Sequence, residues 1–126
     1  VSPLVIVGKK ASDSIRICTD LSALNRNIVV DCHPLPNMEE LVHSMSGAKV
    51  FSTLDLKSAY NQIPLTEDSK DLTAFISSEG LFRWCKIPFG LASAPSYFSK
   101  LMSKVLDSCR DICVWYLDDI VCLWQG

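Results

Sequence analysis

The sequence predicts an α+β fold, and two observations carry that prediction. Short runs rich in valine, isoleucine and aromatic residues come in neighbouring pairs with turn-length polar segments between them, the pattern of antiparallel hairpins. Two other stretches repeat apolar residues at i, i+3, i+4 and i+7, the stripe of a helix that buries one face.

Taken in order, residues 4–8 and 15–19 read as the first hairpin, with the polar loop Lys9 to Ser14 between them. It carries Lys9, Lys10 and Arg16. Cations on such a hairpin can clamp a triphosphate, Arg through bidentate oxygen contacts. The plainer reading is a solubility device at a sheet edge. Residues 20–25 suit a short helical turn and 28–36 an extended connector. Asn37, with Glu40 three residues on, forms a variant capping box. Met38, Leu41, Val42 and Met45 then make a packing stripe, and Gly47 supplies the stop. His43 lies off that stripe and is expected in solvent.

Residues 50–56 read as a strand, with Asp55 near its end between two leucines. Residues 57–60 turn the chain and 62–65 extend it. Tyr60 is by default a half-buried tyrosine with a satisfied hydroxyl. Residues 73–77 and 81–86 form a second hairpin about Ser78-Glu79-Gly80. The chain leaves it through the loop 86–90. Pro95 suits a first helical position, with Ser93 as cap, and the helix runs to about Asp107 on a stripe of Phe98, Leu101, Met102 and Val105.

The last hairpin, residues 114–123, places Asp118 and Asp119 between two apolar runs. An ionised carboxylate in apolar surroundings costs on the order of several kcal/mol unless a cation or donor array answers it. No Lys or Arg lies within these ten residues. The counter-charge must come from elsewhere in the fold or from a metal, and hard oxygen ligands suit Mg2+ or Mn2+. A solvated turn is the alternative, since Asp is common in turns. Asp55 adds a third carboxylate on another strand. Side by side in a sheet, the three suit a binuclear site holding ions about 3.5–4 Å apart, which stabilises in-line displacement at phosphorus.

Composition sets the bounds. The chain has 126 residues, 48% of them apolar, enough for one domain with a core. No apolar run reaches the about 18 residues of a membrane span, and no signal sequence opens the chain. Val1 at the start and Gly126 just after the last hairpin suggest a piece of a longer protein. The net charge of −2 is unexpected for a nucleic-acid binder and suggests that this stretch alone grips nucleic acid weakly. Six cysteines show no disulfide framework. Cys109-x-x-x-Cys113 with His33 or His43 would make a poor zinc site. Several sit inside strand-like runs, which reads as reduced, buried small hydrophobes in an intracellular protein.

Three boxes carry a resemblance. Tyr116-Leu117-Asp118-Asp119 resembles the Tyr-x-Asp-Asp box of reverse transcriptases. Phe51-Ser52-Thr53-Leu54-Asp55-Leu56-Lys57-Ser58-Ala59-Tyr60 resembles the first catalytic-aspartate motif of that family. Pro88-Phe89-Gly90-Leu91-Ala92-Ser93-Ala94-Pro95-Ser96-Tyr97-Phe98 resembles its Pro-Phe-Gly-Leu-x-x-Ala-Pro-x-x-Phe motif. The boxes occur in the family's order, and the resemblance covers essentially the whole chain, nearest to gypsy-type long-terminal-repeat retrotransposons and related retroviral polymerases. Asp20-Leu21-Ser22-Ala23-Leu24-Asn25 is similar to a further family segment, Asp-Tyr-Arg-x-Leu-Asn. It departs at Leu21 and Ser22, which puts one template contact in doubt.

The resemblance implies an α+β polymerase palm, a ferredoxin-like antiparallel sheet backed by helices, with a fingers β-hairpin subdomain and no thumb. Residues 1–126 would be one core, with fingers at about 1–48 and 64–87 and palm at about 49–63 and 88–126. It implies template-directed transfer from a dNTP to a primer 3′-hydroxyl with two ions, Mg2+ or Mn2+. Asp55 and Asp118 would ligate the ions with the Leu56 carbonyl, and Asp119 would act mainly through its charge. Lys9 or Lys10, together with Arg16, would meet the triphosphate. Tyr60 would lie under the sugar and exclude a 2′-hydroxyl. Phe89 and Gly90 would close over the nascent base pair, the helix from Pro95 would lie under the template, and Tyr116 would pack near the primer end.

The implied partners are an RNA or DNA template with its primer, and the thumb, RNase H, integrase and protease of one polyprotein. The implied setting is intracellular, in the cytoplasm, a virus-like particle or the nucleus, with no membrane. Two rivals stand beside this reading. One is a non-catalytic retroelement remnant serving as a structural or interaction module. The other is a different metal-dependent phosphotransferase or nuclease built on the same carboxylates.

Overall fold

The computed structural model describes residues 1–8, 14–31 and 33–126. It is a mixed α and β structure in which the paired strands of the described residues run antiparallel. The chain divides into two compact units, Val1–Val29 with Tyr60–Ala94, and Val30–Ala59 with Pro95–Gly126.

The first unit opens with the expected hairpin of β1 (Leu4–Gly8) and β2 (Ile15–Thr19), Leu4 facing Thr19 and Gly8 facing Ile15. α1 (Ser22–Asn25) follows. Its turn is started by Asp20, whose carboxylate accepts from both the N–H and the hydroxyl of Ser22. The Ser22 hydroxyl, followed by its N–H, holds the Asp20 carboxyl below its ordinary range. Residues 59–62, all but the first in this unit, form a tight 3₁₀ turn, then α3 (Glu67–Lys70) and a 3₁₀ turn over 71–73 precede the second hairpin. α3 escaped the sequence reading, although acids in a first turn after a threonine are a helix-start signal.

That hairpin, β4 (Phe75–Ser77) with β5 (Gly80–Phe82), is shorter than expected. The reason lies just beyond β5. The Arg83 guanidinium donates to Asp71 at 2.6 Å, and the Trp84 N–H donates to the Thr73 hydroxyl at 3.0 Å. Both bonds draw the chain out of the ladder. Trp84 Nε1 also donates to the Thr19 hydroxyl at 2.9 Å, which joins β2 to this corner through buried polar groups that satisfy one another. Leu21, Ile63, Thr73, Ile87 and Pro88 are buried and form the core of this unit.

The second unit holds α2 (Met38–Ser44), β3 (Val50–Asp55), α4 (Ala94–Val105, all but its first residue), β6 (Cys113–Tyr116) and β7 (Asp119–Trp124). Asn37 caps α2 as expected, its side chain accepting from the Glu39 N–H at 2.9 Å, and Gly47 takes a positive φ of 87° past the end. The expected packing stripe is corrected. Leu41 and Met45 are half-buried, but Met38 and Val42 are 56% and 60% exposed. A helix of two turns covers its neighbours along one line only, and Met38 and Val42 lie on the next.

The three strands order as β3-β7-β6. Val50 faces Trp124 and Asp55 faces Asp119 on one side of β7; Cys113 faces Cys122 and Tyr116 faces Asp119 on the other. Buried Cys113 and Trp115 alternate with half-buried Val114 and Tyr116, the period of a one-sided sheet. On α4, Phe98 and Met102 are buried as expected, whereas Val105 is exposed and Ala94 and Ser99 are buried instead. The reading of the cysteines needs correction too: Cys113 is buried, Cys18, Cys109 and Cys122 are half-buried, and Cys85 is exposed. No helix of the described residues is long and apolar enough to cross a membrane.

Candidate active site

The three acids converge. β7 lies between its neighbours, so Asp119 at its first residue stands opposite Asp55 at the last residue of β3. Asp118 precedes it in the two-residue loop that joins β6 to β7. One carboxylate oxygen from each of Asp55, Asp118 and Asp119 lies within 4.8 Å of the others. Asp118 is half-buried and the other two are exposed. The Leu56 N–H donates to the Asp118 carbonyl at 3.2 Å, tying the end of β3 to the loop.

The backbone around these acids is unusual. Among the described residues, the non-glycine positions with positive φ are Ser58 at 49° and Leu117 at 52°. Leu117 immediately precedes Asp118, and Ser58 follows Asp55 by three positions. A positive φ at the first loop residue belongs to the primed turns that match strand twist, where glycine or asparagine is usual. Holding a leucine there costs on the order of 1–2 kcal/mol. Sequence alone offered no sign of this turn chemistry.

Three carboxylates so close repel one another, and a divalent cation relieves that repulsion. An all-oxygen anionic donor set suits Mg2+ or Mn2+ and not a soft metal. The residues present therefore fit the implied ions. Tyr116, half-buried, pairs with Asp119 in the β6–β7 ladder and so sits beside the acids.

In the first unit a second group of expected residues comes together. The Tyr60 and Phe89 rings meet edge to face, with centroids 5.3 Å apart at 74°. Arg16 Cζ lies 5.5 Å from the Phe89 centroid, in cation–π range. Phe89 is 42% exposed despite both contacts, so part of its face stays open. Gly90 adopts a positive φ of 90°. A Cβ added there would come 3.9 Å from the Thr19 carbonyl oxygen, which leaves conformation rather than space as the reason for glycine.

Asn25 was not singled out as a site residue, yet it holds this loop. Its Nδ2 donates to the Gly90 carbonyl at 2.7 Å, and its Oδ1 accepts from the Ala92 N–H at 2.9 Å. The available signal was its place at the end of the Asp20–Asn25 segment. Pro95, half-buried, is the second residue of α4. Lys9 and Lys10 lie outside the described residues.

Comparison with known proteins gives a consistent result. Residues 7–126 match the family described as reverse transcriptase (RNA-dependent DNA polymerase). The chain is 38% identical over 124 residues to the enzymatic polyprotein of Figwort mosaic virus (strain DxS), covering 96% of this chain and 19% of that protein. It is 36% identical over 126 residues to the retrovirus-related Pol polyprotein from transposon gypsy of Drosophila melanogaster, covering 95% of this chain and 12% of that one. It thus spans a fifth or less of these relatives. Among solved structures, the foamy viral protease-reverse transcriptase in complex with double-stranded DNA superposes with a TM-score of 0.90 at 23% identity, over 99% of this chain and 22% of that one. The same enzyme with an RNA/DNA hybrid gives 0.80 at 22% identity, over 99% and 16%.

Proposed function

The chain belongs to the reverse transcriptase (RNA-dependent DNA polymerase) family, and from that premise we propose that it is the fingers-and-palm core of an RNA-directed DNA polymerase in a retroelement polyprotein. The observation that carries the proposal is the register of β3 on β7, which sets Asp55 against Asp119 and both within reach of Asp118. The fingers would comprise about residues 1–48 and 64–87, and the palm about 49–63 and 88–126. The substrates are a primer on an RNA or DNA template and a dNTP, in an intracellular setting. The thumb, RNase H, integrase and protease are expected in the same polyprotein.

Asp55 and Asp118 would hold two divalent ions, with the Leu56 carbonyl as a further ligand, while Asp119 adds negative charge beside them. When bound, such ions lower the pKa of the primer 3′-hydroxyl and neutralise charge on the triphosphate. The remaining work falls to this chain's own groups. The edge-to-face contact with Phe89 holds the Tyr60 ring, and Tyr60 is the residue proposed to exclude a 2′-hydroxyl. Arg16 lies over Phe89 and, with Lys9 or Lys10, would meet the β and γ phosphates. Phe89 and Gly90 are proposed to close over the nascent base pair, the helix from Pro95 to underlie the template, and Tyr116 to pack near the primer terminus. Sequence is then read by base pairing, while the protein recognises backbone and shape.

The test is primer extension by the full-length protein on an RNA template with Mg2+. Wild type extends the primer; Asp55→Asn and Asp118→Asn, folded by circular dichroism, do not. Extension at the wild-type rate by either variant removes the metal-ligand assignment.

A further inference from the structure

Cys113 and Cys122 stand directly opposite each other on β6 and β7. The phase of the ladder is fixed by the Leu123 N–H, which donates to the Ile112 carbonyl at 2.7 Å. That makes 112/123 a hydrogen-bonded pair and 113/122 a non-hydrogen-bonded one. In such pairs the facing Cα atoms come within about 4.5 Å and the side chains crowd together. A disulfide needs Cα atoms about 4.4–6.8 Å apart, so this position suits one without backbone movement. The two Sγ atoms already lie 3.1 Å apart, as free thiols in hydrogen-bond contact. Cys113 is buried and Cys122 half-buried, so Cys122 is the more accessible of the two.

We propose that Cys113 and Cys122 form a reversible oxidation site, closing to a cross-strand disulfide when a peroxide is the oxidant. The Cys122 thiolate attacks one peroxide oxygen; the S–O bond forms, the O–O bond breaks, and the leaving hydroxide takes a proton to depart as water. The Cys113 sulfur then attacks the Cys122 sulfenic sulfur; the S–S bond forms, the S–O bond breaks, and a second water leaves. Two thiols lose two electrons and two protons, and one peroxide is reduced to two waters. A thiol reductant reverses the change by exchange. The disulfide encloses the hairpin that carries Asp118 in its loop and Asp119 at the start of β7, so oxidation locks β6 to β7 on either side of that loop. The site needs no metal and no nucleotide, and it does not depend on the polymerase reading.

Trypsin cuts after Arg110, and residues 111–126 contain no Lys or Arg and only these two cysteines. The folded chain of residues 1–126 is treated with hydrogen peroxide, alkylated with iodoacetamide, digested and weighed, in parallel with a urea-unfolded sample. The expected peptide beginning at Asp111 carries no alkyl group and is lighter than the dithiol by two hydrogens; reduction before alkylation restores two alkyl groups. In Cys122→Ser, Cys113 becomes open to alkylation or further oxidation, while Cys109→Ser leaves the closed peptide unchanged. The proposal is overturned if both thiols of the folded wild type are alkylated after Cys85 has been oxidised. Closure in the unfolded sample alone, or a Cys109 cross-link in place of the pair, overturns it as well.

Discussion

Asp55 and Asp119 face each other directly across β3 and β7, two like charges at one ladder position. Cross-strand pairs are each worth about 0.2–1 kcal/mol when favourable, and like charges directly opposite destabilise a sheet instead; Asp118 adds a third charge within reach. Asp119→Asn is therefore expected to raise the stability of the metal-free protein by up to about 1 kcal/mol. Added Mg2+ should narrow or invert that difference, because the ion binds the wild-type fold more tightly. Urea denaturation in EDTA and then in Mg2+ measures both. A metal-free variant less stable than wild type would show that protein donors already answer this carboxylate.

The loop between these strands gives a second expectation. Leu117 holds a positive φ of 52°. Glycine at this position avoids the Cβ clash but adds unfolded-chain entropy, and the two terms are each on the order of 1 kcal/mol. Leu117→Gly should thus lie within about 1 kcal/mol of wild type. A β-branched residue fits positive φ worst, so Leu117→Val should be less stable than Leu117→Gly by about 1 kcal/mol or more. Equal stabilities for the two variants would mean that the loop relaxes to an ordinary turn.

Most of this architecture was legible because it rests on local patterns. The β1–β2 hairpin, the Asn37 cap and the Asp118 loop each follow from a few adjacent residues. The acid cluster was legible only in part. Asp-Asp between apolar runs marked a hairpin, and the family resemblance implied that Asp55 and Asp118 share ions, but the alignment of Asp55 with Asp119 is a register between distant strands that only the fold shows. What was missed depends on distant partners. Nothing local to residues 83–86 says that Arg83 and Trp84 bond back to Asp71 and Thr73 and end β5 early. Likewise Asn25 gains its role only when residues 90–92 arrive beside it. The Met38–Val42 line failed for a related reason: a helical stripe states which side is apolar, and a short helix need not cover all of it.

Asn25 supplies a third expectation. Its amide bonds the loop on both sides of Leu91, at the Gly90 carbonyl and the Ala92 N–H. Asn25→Ala loses both bonds, a change of about 1–3 kcal/mol. The loss should be concentrated in the loop, so hydrogen exchange at Ala92 should quicken by about tenfold for each 1.4 kcal/mol. Asn25→Asp keeps an acceptor for Ala92 but loses the donor to Gly90, and should fall between the two. An Ala92 amide that exchanges as slowly in Asn25→Ala as in wild type removes the clamp.

Glu67 sets a pH expectation. The hydrogen bond from Lys70, followed by the charges of Lys70 and Arg83, holds its carboxyl below the ordinary range. A carboxyl depressed in the folded state stabilises the fold above its unfolded pKa and loses that contribution as pH falls through the folded value. Wild type should therefore exceed Glu67→Gln in stability near neutral pH, with the gap closing in acid. Glu67 is exposed, so about 1 M salt should also shrink the gap. Denaturation midpoints at neutral and acid pH, each with and without salt, test the sign. A gap that widens in acid contradicts it.

The contacts of Phe89 lead to the last expectation. Its ring is met at the edge by Tyr60 and over its face by Arg16, so removing Tyr60 has two separable effects. The lost aromatic pair should cost about 0.5–1.5 kcal/mol in addition to lost burial, and Tyr60→Phe should retain nearly all of it. The second effect belongs to the proposed polymerase. A ring that blocks a 2′-hydroxyl discriminates by exclusion, so Tyr60→Ala should raise ribonucleotide incorporation relative to deoxyribonucleotide by about tenfold or more, while Tyr60→Phe stays close to wild type. Single-nucleotide extension with paired dNTP and rNTP gives the ratio of kcat/KM directly. If Tyr60→Ala loses stability as expected but keeps its sugar ratio, the ring supports Phe89 and nothing more.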